Sequence, residues 1–528
     1  MNNQDTTKSA RSTTRRTLLA ATAGLVVAGP VLADVPDHLW HGHNFGPGPK
    51  SADRLNQGPF GVEQDQGWRT IATTTQSSKS VRNFGVGLCG YTWEEAGPSL
   101  AVRAGKQTLE DHVEQMAALP FVDVLYIRCE WRDVQSQAGK LDLNPVWKLT
   151  FDAAKAYGKR VGFRVMLSNP AFQPRQLAMP DFLQRKVPLV AIGRSREKGG
   201  NFEYREPRYD HPEFLKAFRE LNELLAARFD GDPLVEFMDL MMYGFWGEAH
   251  TSDLKSPFPD YPTAERTMLG ITRQQIDAWK KTPLAVNTEP DISSVGNREV
   301  QELCVREGCW VRSDSILDIE EPVQVEMIAN RPPWLAAVME DGGHREYNVD
   351  QLPLDESGIN VREKAMMHVL DLGANYWSLW TEGQNLKRYH ERYPRGFTTL
   401  QQRMGYRVRP SWVWQRKRYE TSEIIVGVTN DGVSGVPGVL RLSIESPDGN
   451  FKMSGSLDAG HPYGGGIRQA AFLLPRGMEG QRLGIRAELE TKGVRRAVNW
   501  DCEQRLLPDG SFPIELKAFD ARGWRKGV

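Results

Sequence analysis

The run Val235-Glu-Phe-Met-Asp-Leu-Met-Met-Tyr-Gly-Phe-Trp-Gly-Glu-Ala-His250 constrains this chain more than any other stretch: a mostly apolar segment, Leu234 to Met242, passes directly into glycines and aromatics that end on a carboxylate. The apolar part reads as a strand buried on both faces by helices. Gly244 and Gly247 interrupt it, relieving steric limits on the backbone and leaving room for a ligand, while Tyr243, Phe245 and Trp246 offer flat faces for a ring to stack on. Glu248 beside such faces is a candidate proton donor, because burial disfavours the charged form of a carboxyl. The alternative is that Glu248 caps a helix or pairs with a surface cation.

From Asn83 onward, apolar runs alternate with segments of helical spacing, the pattern of repeated β/α units. Phe84–Gly90, Val122–Arg128, Arg160–Leu167, Leu234–Met242, Leu284–Thr288, Gly308–Arg312, Trp334–Glu340 and Ala374–Trp380 read as strands. Helical segments fall between them: Leu109–Leu119, one opened by Asn144 and Pro145 and closed near Gly158, one from His211, Thr263–Lys280, Arg298–Glu307, Val323–Asn330, and Val361–Leu372 stopped by Gly373. The expected fold class is α/β, a (β/α)8 TIM barrel over 80–408, whose functional groups gather at the carboxyl ends of its strands. Over 409–528 the short runs Glu423–Val428, Val439–Ile444, Arg468–Leu474, Leu483–Leu489 and Phe512–Leu516, punctuated by Gly, Asp and Pro, predict a small antiparallel β-sandwich. The Pro-, Arg- and Gly-rich segment Ser168 to Tyr209 reads as a wall of the binding cleft.

Residues 1–33 read as a twin-arginine signal peptide: Arg15 and Arg16 precede an apolar stretch too short to span a bilayer, and Val31 and Ala33 suit cleavage before Asp34. That implies the twin-arginine export machinery as partner of the precursor and a periplasmic or extracellular mature protein; an uncut N-terminal anchor is the alternative. No later stretch is long and apolar enough to span a membrane. Residues 34–79 read as an extended arm. His41 and His43 within it resemble the paired histidines of metal-dependent barrel hydrolases, but ten histidines scattered through the chain do not supply the further ligands, so neither a metal nor an organic cofactor is expected. The 66 basic and 67 acidic residues cancel, which leaves no field for nucleic acid or an anionic membrane and favours a neutral substrate. Fifteen Trp and fourteen Tyr suit stacking on sugar rings. The five cysteines (Cys89, Cys129, Cys304, Cys309 and Cys502) are an odd number, so at least one is free or pairs between chains; Cys304 and Cys309 are near enough in sequence to bridge.

Cleavage of a glycosidic bond needs two carboxylates, one protonated to help the leaving oxygen depart and one ionised to attack the sugar or activate water. Glu248 and Glu340 end the fourth and seventh strands, on opposite sides of a barrel mouth. Glu340 precedes Asp341 and Gly342, so its alternative is a loop residue that binds an Arg; Glu382, just past the eighth strand, is the competing carboxylate. Trp377 or Trp380 is expected to floor a sugar subsite, with Glu382 or Asn385 holding a hydroxyl. Arg128 and Arg312 are expected to hold a carboxylate ionised, and His250 to help position the acid. Glu94, Glu130 and Trp131 are rim candidates, with solvation the expected state of the loop charges.

The segments Gly244-Phe-Trp-Gly-Glu-Ala-His250, Val338-Met-Glu340 and Tyr376-Trp-Ser-Leu-Trp380 resemble the clan of retaining glycoside hydrolase barrels with catalytic glutamates on strands four and seven. The Trp-Gly-Glu-x-His form resembles a β-galactosidase-like exported group that pairs a barrel with a C-terminal β domain, and Tyr126–Trp131 with Gly139–Asp142 resembles its second-strand region. The resemblance covers roughly residues 83 to 410. It implies an exported glycoside hydrolase acting on a carbohydrate by double displacement, Glu340 as nucleophile and Glu248 as acid and base, with Trp246, Trp377, Trp380, Glu382, Asn385, Arg128, Tyr243 and His250 around the substrate. Gly247 stands where many members carry an Asn that touches the sugar 2-hydroxyl, so that contact does not carry over. A catalytically inactive barrel that binds glycans at the cell envelope is the other reading.

Overall fold

The computed structural model describes residues 68–194, 202–251, 254–288, 297–313, 322–341 and 361–518. The signal segment, His41 and His43 lie outside them, as do the ends of the loops that follow several barrel strands.

Eight parallel strands close into a barrel: β1 Gly87–Trp93, β2 Val124–Glu130, β3 Arg160–Met166, β4 Val235–Asp239, β5 Leu284–Asn287, β6 Trp310–Ser313, β7 Ala337–Glu340 and β8 Tyr376–Leu379. Each pairs with its neighbours in sequence, and β8 closes on β1 through Tyr376 opposite Gly87 to Leu379 opposite Gly90. The eight strands expected from the alternation are therefore all present, shifted by up to three residues. Helices α1 Leu109–Ala117, α2 Pro145–Tyr157, α3 Pro212–Phe229, α4 Tyr261–Ala278, α5 Asn297–Arg306, α6 Pro322–Ala329 and α7 Val361–Asp371 separate the strands. Their ends follow local chemistry. Thr108 and Asp111 form a reciprocal cap at the start of α1. Asn144 accepts from Val146 N and Pro145 opens α2, which Gly158 ends at φ 63°.

Side-chain alternation sorts the barrel into two surfaces. Leu88, Leu125, Phe163, Met238, Val286, Val311, Met339 and Trp377 pack outward beneath the helices. Cys89, Val124, Phe237, Ala285, Trp310, Val338 and Tyr376 fill the interior, in one continuous apolar core with the C-terminal domain. Above this layer, toward the carboxyl ends of the strands, the interior changes from apolar to charged.

The C-terminal domain is the expected pair of antiparallel sheets. β9 Val408–Arg418, β10 Thr421–Asn430 and β13 Ile467–Leu473 pair in one; β12 Lys452–Ser456, β11 Val439–Glu445, β14 Arg482–Thr491, β15 Val494–Val498 and β16 Phe512–Glu515 form the other. Val408–Arg418, Lys452–Ser456 and Val494–Val498 escape the sequence reading because charged residues dilute their apolar alternation. Two helices after β8, α8 Gly383–Arg392 and α9 Pro394–Arg403, lead into this domain.

Arg331 and Asn375 fasten the sandwich to the barrel. Arg331 donates to Ile328 O at 2.6 Å, Leu335 O at 2.9 Å, Leu372 O at 3.3 Å and Ser434 Oγ at 3.1 Å, and also to Gly373 O. Asn375 donates to Gly85 O at 3.0 Å, while its Oδ1 accepts from Ala337 N at 3.0 Å and Ser434 Oγ at 2.8 Å. Burial lowers the Arg331 pKa to about 10, still far above neutrality, so the group stays a cation serving carbonyls. Arg331→Met strands several buried carbonyl oxygens and is expected to lower unfolding free energy by about 3 kcal/mol or more, read as a fall in the urea midpoint.

Candidate active site

Three arginines and three carboxylates alternate around the barrel mouth in a closed ring. Arg164 on β3 donates through Nη1 to Glu248 Oε1 at 2.5 Å and approaches Asp239 Oδ2 through Nη2 at 3.2 Å. Arg312 on β6 lies 3.2 Å from the same Asp239 oxygen and pairs with Glu340 Oε2. Arg128 on β2 completes the circuit, donating to Glu340 Oε1 at 3.0 Å and to Glu248 Oε1. Asp239 ends β4 and Glu340 ends β7, so the links Arg312–Asp239 and Arg128–Glu340 join non-adjacent strands and run through the barrel interior. Glu248 is 2 % exposed and Glu340 1 %. Charges this deep persist only when paired, and here each acid meets two guanidiniums.

Glu340 carries the clearest electrostatic signature. Burial works to raise its pKa, but Arg312, Arg128 and Arg164 outweigh burial and hold the carboxyl well below the usual range. Tyr91 adds a hydrogen bond to Oε1 at 3.1 Å and itself receives Arg312 Nη2 at 3.2 Å and Ser378 Oγ at 3.1 Å. Glu340 is thus an oriented anion. The surroundings of Glu248 differ from the aromatic pocket expected of them. Its Oε1 faces Arg128 and Arg164, which favour the charged form, and only Oε2 looks toward His250, whose Nε2 lies 3.5 Å away.

The loop that carries Glu248 is held in an unusual backbone path. Gly244, Trp246, Gly247 and Ala249 have φ of 78°, 55°, 77° and 65°. Positive φ at Trp and Ala is uncommon, and such strain persists only where surrounding contacts over-determine it. Phe245 N donates to His250 O at 2.8 Å and Ala249 N to Tyr243 O at 3.0 Å, closing the loop on itself. Tyr209 Oη accepts from Gly244 N at 2.9 Å, and Arg164 Nη1 donates to Trp246 O at 3.2 Å. A Cβ at Gly244 would lie 2.1 Å from His250 O, so no side chain fits there. Gly244→Ala is expected to cost at least about 2 kcal/mol of stability and to displace Glu248, measured as a lower thermal midpoint.

The remaining sequence candidates separate into two groups. Trp246 is half-buried beside His250, with ring centroids 5.7 Å apart, and Trp380 donates through Nε1 to Glu95 Oε2 at 3.3 Å; Glu95 is itself 3.9 Å from Arg128. These two rings border the charged ring. Tyr243 packs edge-on against Tyr209 and Phe258 in the core. Trp377 points away from the barrel axis into the helical layer, fully buried against Tyr389, and offers no face to a sugar in this arrangement. Glu382 turns aside to accept from Leu100 N at 2.7 Å, and Asn385 lies 3.5 Å from Thr381 Oγ1. Arg164, Asp239, Tyr91 and Tyr126 are the members the sequence reading missed. Their signal is a charged or hydroxyl-bearing residue inside an otherwise apolar strand, as in Arg160-Val-Gly-Phe-Arg164 and Val235-Glu-Phe-Met-Asp239.

Two further carboxyls behind the site correct another expectation. Glu130, expected to be solvated, is buried and accepts from Asn169 Nδ2 at 2.9 Å and Gln176 Nε2 at 2.8 Å; Trp131 is buried beside it. Glu206 lies in a hairpin of Leu189–Gly193 and Tyr204–Pro207 that forms part of the expected cleft wall, and accepts from Ser168 Oγ and Tyr209 Oη, each at 2.5 Å. Burial pushes both up to about 7. A carboxyl whose folded pKa lies above its unfolded value of about 4.5 favours the folded state below that value and loses this contribution as pH rises through 7. Glu206→Gln, which removes the ionisation, is therefore expected to gain stability relative to the parent between pH 5 and 8, by an amount of order 3 kcal/mol, in paired urea titrations at the two pH values.

Among the described residues no group of three or more His, Cys, Asp or Glu is arranged to hold a metal ion, and no helix is long and apolar enough to cross a membrane. Cys89, Cys129, Cys304, Cys309 and Cys502 are all buried free thiols. No protein-family model matches the sequence, and no curated protein matches it either. Among solved structures, the chain is similar to endo-glycoceramidase II from Rhodococcus sp., at 12 % identity over 77 % of this chain and 100 % of that one, TM-score 0.36. It is also similar to the exo-β-1,4-mannosidase Op5Man5 from Opitutaceae bacterium strain TAV5, at 12 % identity over 59 % and 55 % of the two chains, TM-score 0.35. A β-galactosidase from the psychrophilic Marinomonas ef1 aligns at 11 % identity over 56 % and 53 %, TM-score 0.35. At this distance the fold rests on the closed eight-stranded barrel itself.

Proposed function

We propose that the protein is an exported glycoside hydrolase that cleaves a carbohydrate with retention of anomeric configuration. The observation that carries this reading is the pair Glu340, at the carboxyl end of β7, and Glu248, which does not end β4 as expected but lies nine residues past its last residue on the loop that follows, held toward each other by one Arg128 guanidinium. Glu340, an ionised and oriented carboxylate, attacks the anomeric carbon; Glu248 gives a proton to the departing oxygen, and a glycosyl ester forms on Glu340. Glu248, now a carboxylate, takes a proton from water, which displaces Glu340 from the sugar. Arg128 must yield one of its two carboxylates for a sugar to enter between them, and Glu95 at 3.9 Å is its next acceptor. Trp246 and Trp380 supply stacking faces at the rim. The β-galactosidase-like specificity and the twin-arginine route belong to the same proposal and rest on the sequence motifs.

The test is a panel of aryl glycosides against the parent and Glu340→Gln. Turnover in the parent that falls by about a thousandfold or more in the variant, at unchanged thermal midpoint, is the expected result. Near-parental activity in Glu340→Gln removes it from the mechanism.

A second reading, a silent barrel that binds glycans at the cell envelope, is favoured by one observation: both acids are neutralised by arginines. Measurable glycan affinity in the parent with no turnover across the panel selects it.

A further inference from the structure

Asp239 touches neither of the two glutamates, yet it is the third acid of the ring. Its side chain is 1 % exposed, and Oδ2 accepts from Tyr126 Oη and from Arg164 Nε at 3.2 Å, while Arg164 Nη2 and Arg312 Nη1 each lie 3.2 Å away as ion-pair partners. Its Oδ1 accepts no hydrogen bond among the described residues. The two arginines it gathers diverge from it, Arg164 to Glu248 and Arg312 to Glu340. Facing Asp239 are therefore Tyr126 from β2, Arg164 from β3 and Arg312 from β6, with the Cys89 thiol of β1 within electrostatic reach. Facing Glu248 are Arg128, Arg164 and its own loop's His250.

We infer that Asp239 is a positioning residue that sets the proton affinity of both glutamates by fixing, and half-neutralising, the two guanidiniums that hold them. The inference rests on the glycosidase reading for its kinetic consequence, but not for its electrostatic one. With Asp239 charged the ring has three positive and three negative members and sums to zero. Neutralise Asp239, and Arg164 and Arg312 turn their whole charge on Glu248 and Glu340. Both acids then release their protons more readily. For Glu340, which works as an anion, little changes. Glu248 must carry a proton in the first step and loses it at lower pH, so the cost falls on the acid role alone.

Asp239→Asn keeps shape and removes charge. Its kcat/KM profile is expected to show a basic limb about one pH unit lower than the parent's, with kcat above that limb roughly tenfold down and KM within about twofold. A loss of packing alone would lower activity without moving the limb. Tyr126→Phe gives the opposite sign: it removes a donor from Asp239 but no charge, so Asp239 draws the arginines more strongly and the limb moves up. The same shifts are readable without turnover in a carbon-13 titration of the Glu248 carboxyl, assigned against Glu248→Gln. A parent without glycosidase activity thus defeats the functional proposal while the titration still decides the role of Asp239. A folded Asp239→Asn with an unmoved Glu248 titration overturns the inference. If that variant does not fold, a Tyr126→Phe titration that stays put or moves down overturns it, and one that moves up supports it.

Discussion

The charged ring at the barrel mouth depends on a strict condition: no member can be buried without its neighbours. Each of Arg128, Arg164 and Arg312 is at most 3 % exposed, and so is each carboxylate they hold. An isolated charge at this depth would lose most of its hydration energy, and removing one member leaves two others uncompensated. The alternation of sign around the ring solves the problem collectively, since every charge has an opposite on either side. This arrangement needs a scaffold that brings five strands' ends to one place, and a closed parallel barrel is such a scaffold.

Rigidity around the ring follows from the same need. Below it an apolar interior shared with the sandwich core fixes the strands; beside it the loop Gly244–His250 is forced through four positive φ values to bring Glu248 inward. Strain of this kind is tolerated because Tyr209, Arg164 and the loop's own hydrogen bonds hold it from three directions. The buried Glu206 stands one link further out, through Tyr209, and carries its own ionisation penalty at neutral pH. The stability of the outer shell is thereby exchanged for the placement of one carboxylate.

Much of this architecture is legible in the residues taken in order. Apolar runs of strand length between capped helices mark all eight barrel strands, because a strand covered on both faces must be apolar along its length. Glu340 at the end of β7 and Glu248 on the loop after β4 stand out because a chain that leaves such a run on a carboxylate, or on glycines and then a carboxylate, departs from that rule. The same logic fails for Glu130, where a charged residue beside a loop suggests water and the structure supplies Asn169 and Gln176 instead. It fails also between Trp377 on β8 and Trp380 just past its end, because alternation tells that they face differently but not which one faces in.

The sequence by itself determined the barrel and the sandwich and singled out Glu248 and Glu340 as candidates, since periodicity, caps and carboxylates that follow apolar runs are local signals written in consecutive residues. Only the tertiary structure decided what surrounds those glutamates. Arg128, Arg164, Asp239 and Arg312 come from four different strands, and their charges acquire meaning from the groups across the barrel. Whether a buried carboxyl ionises depends on the summed field of groups distant in sequence and a few ångströms away in space.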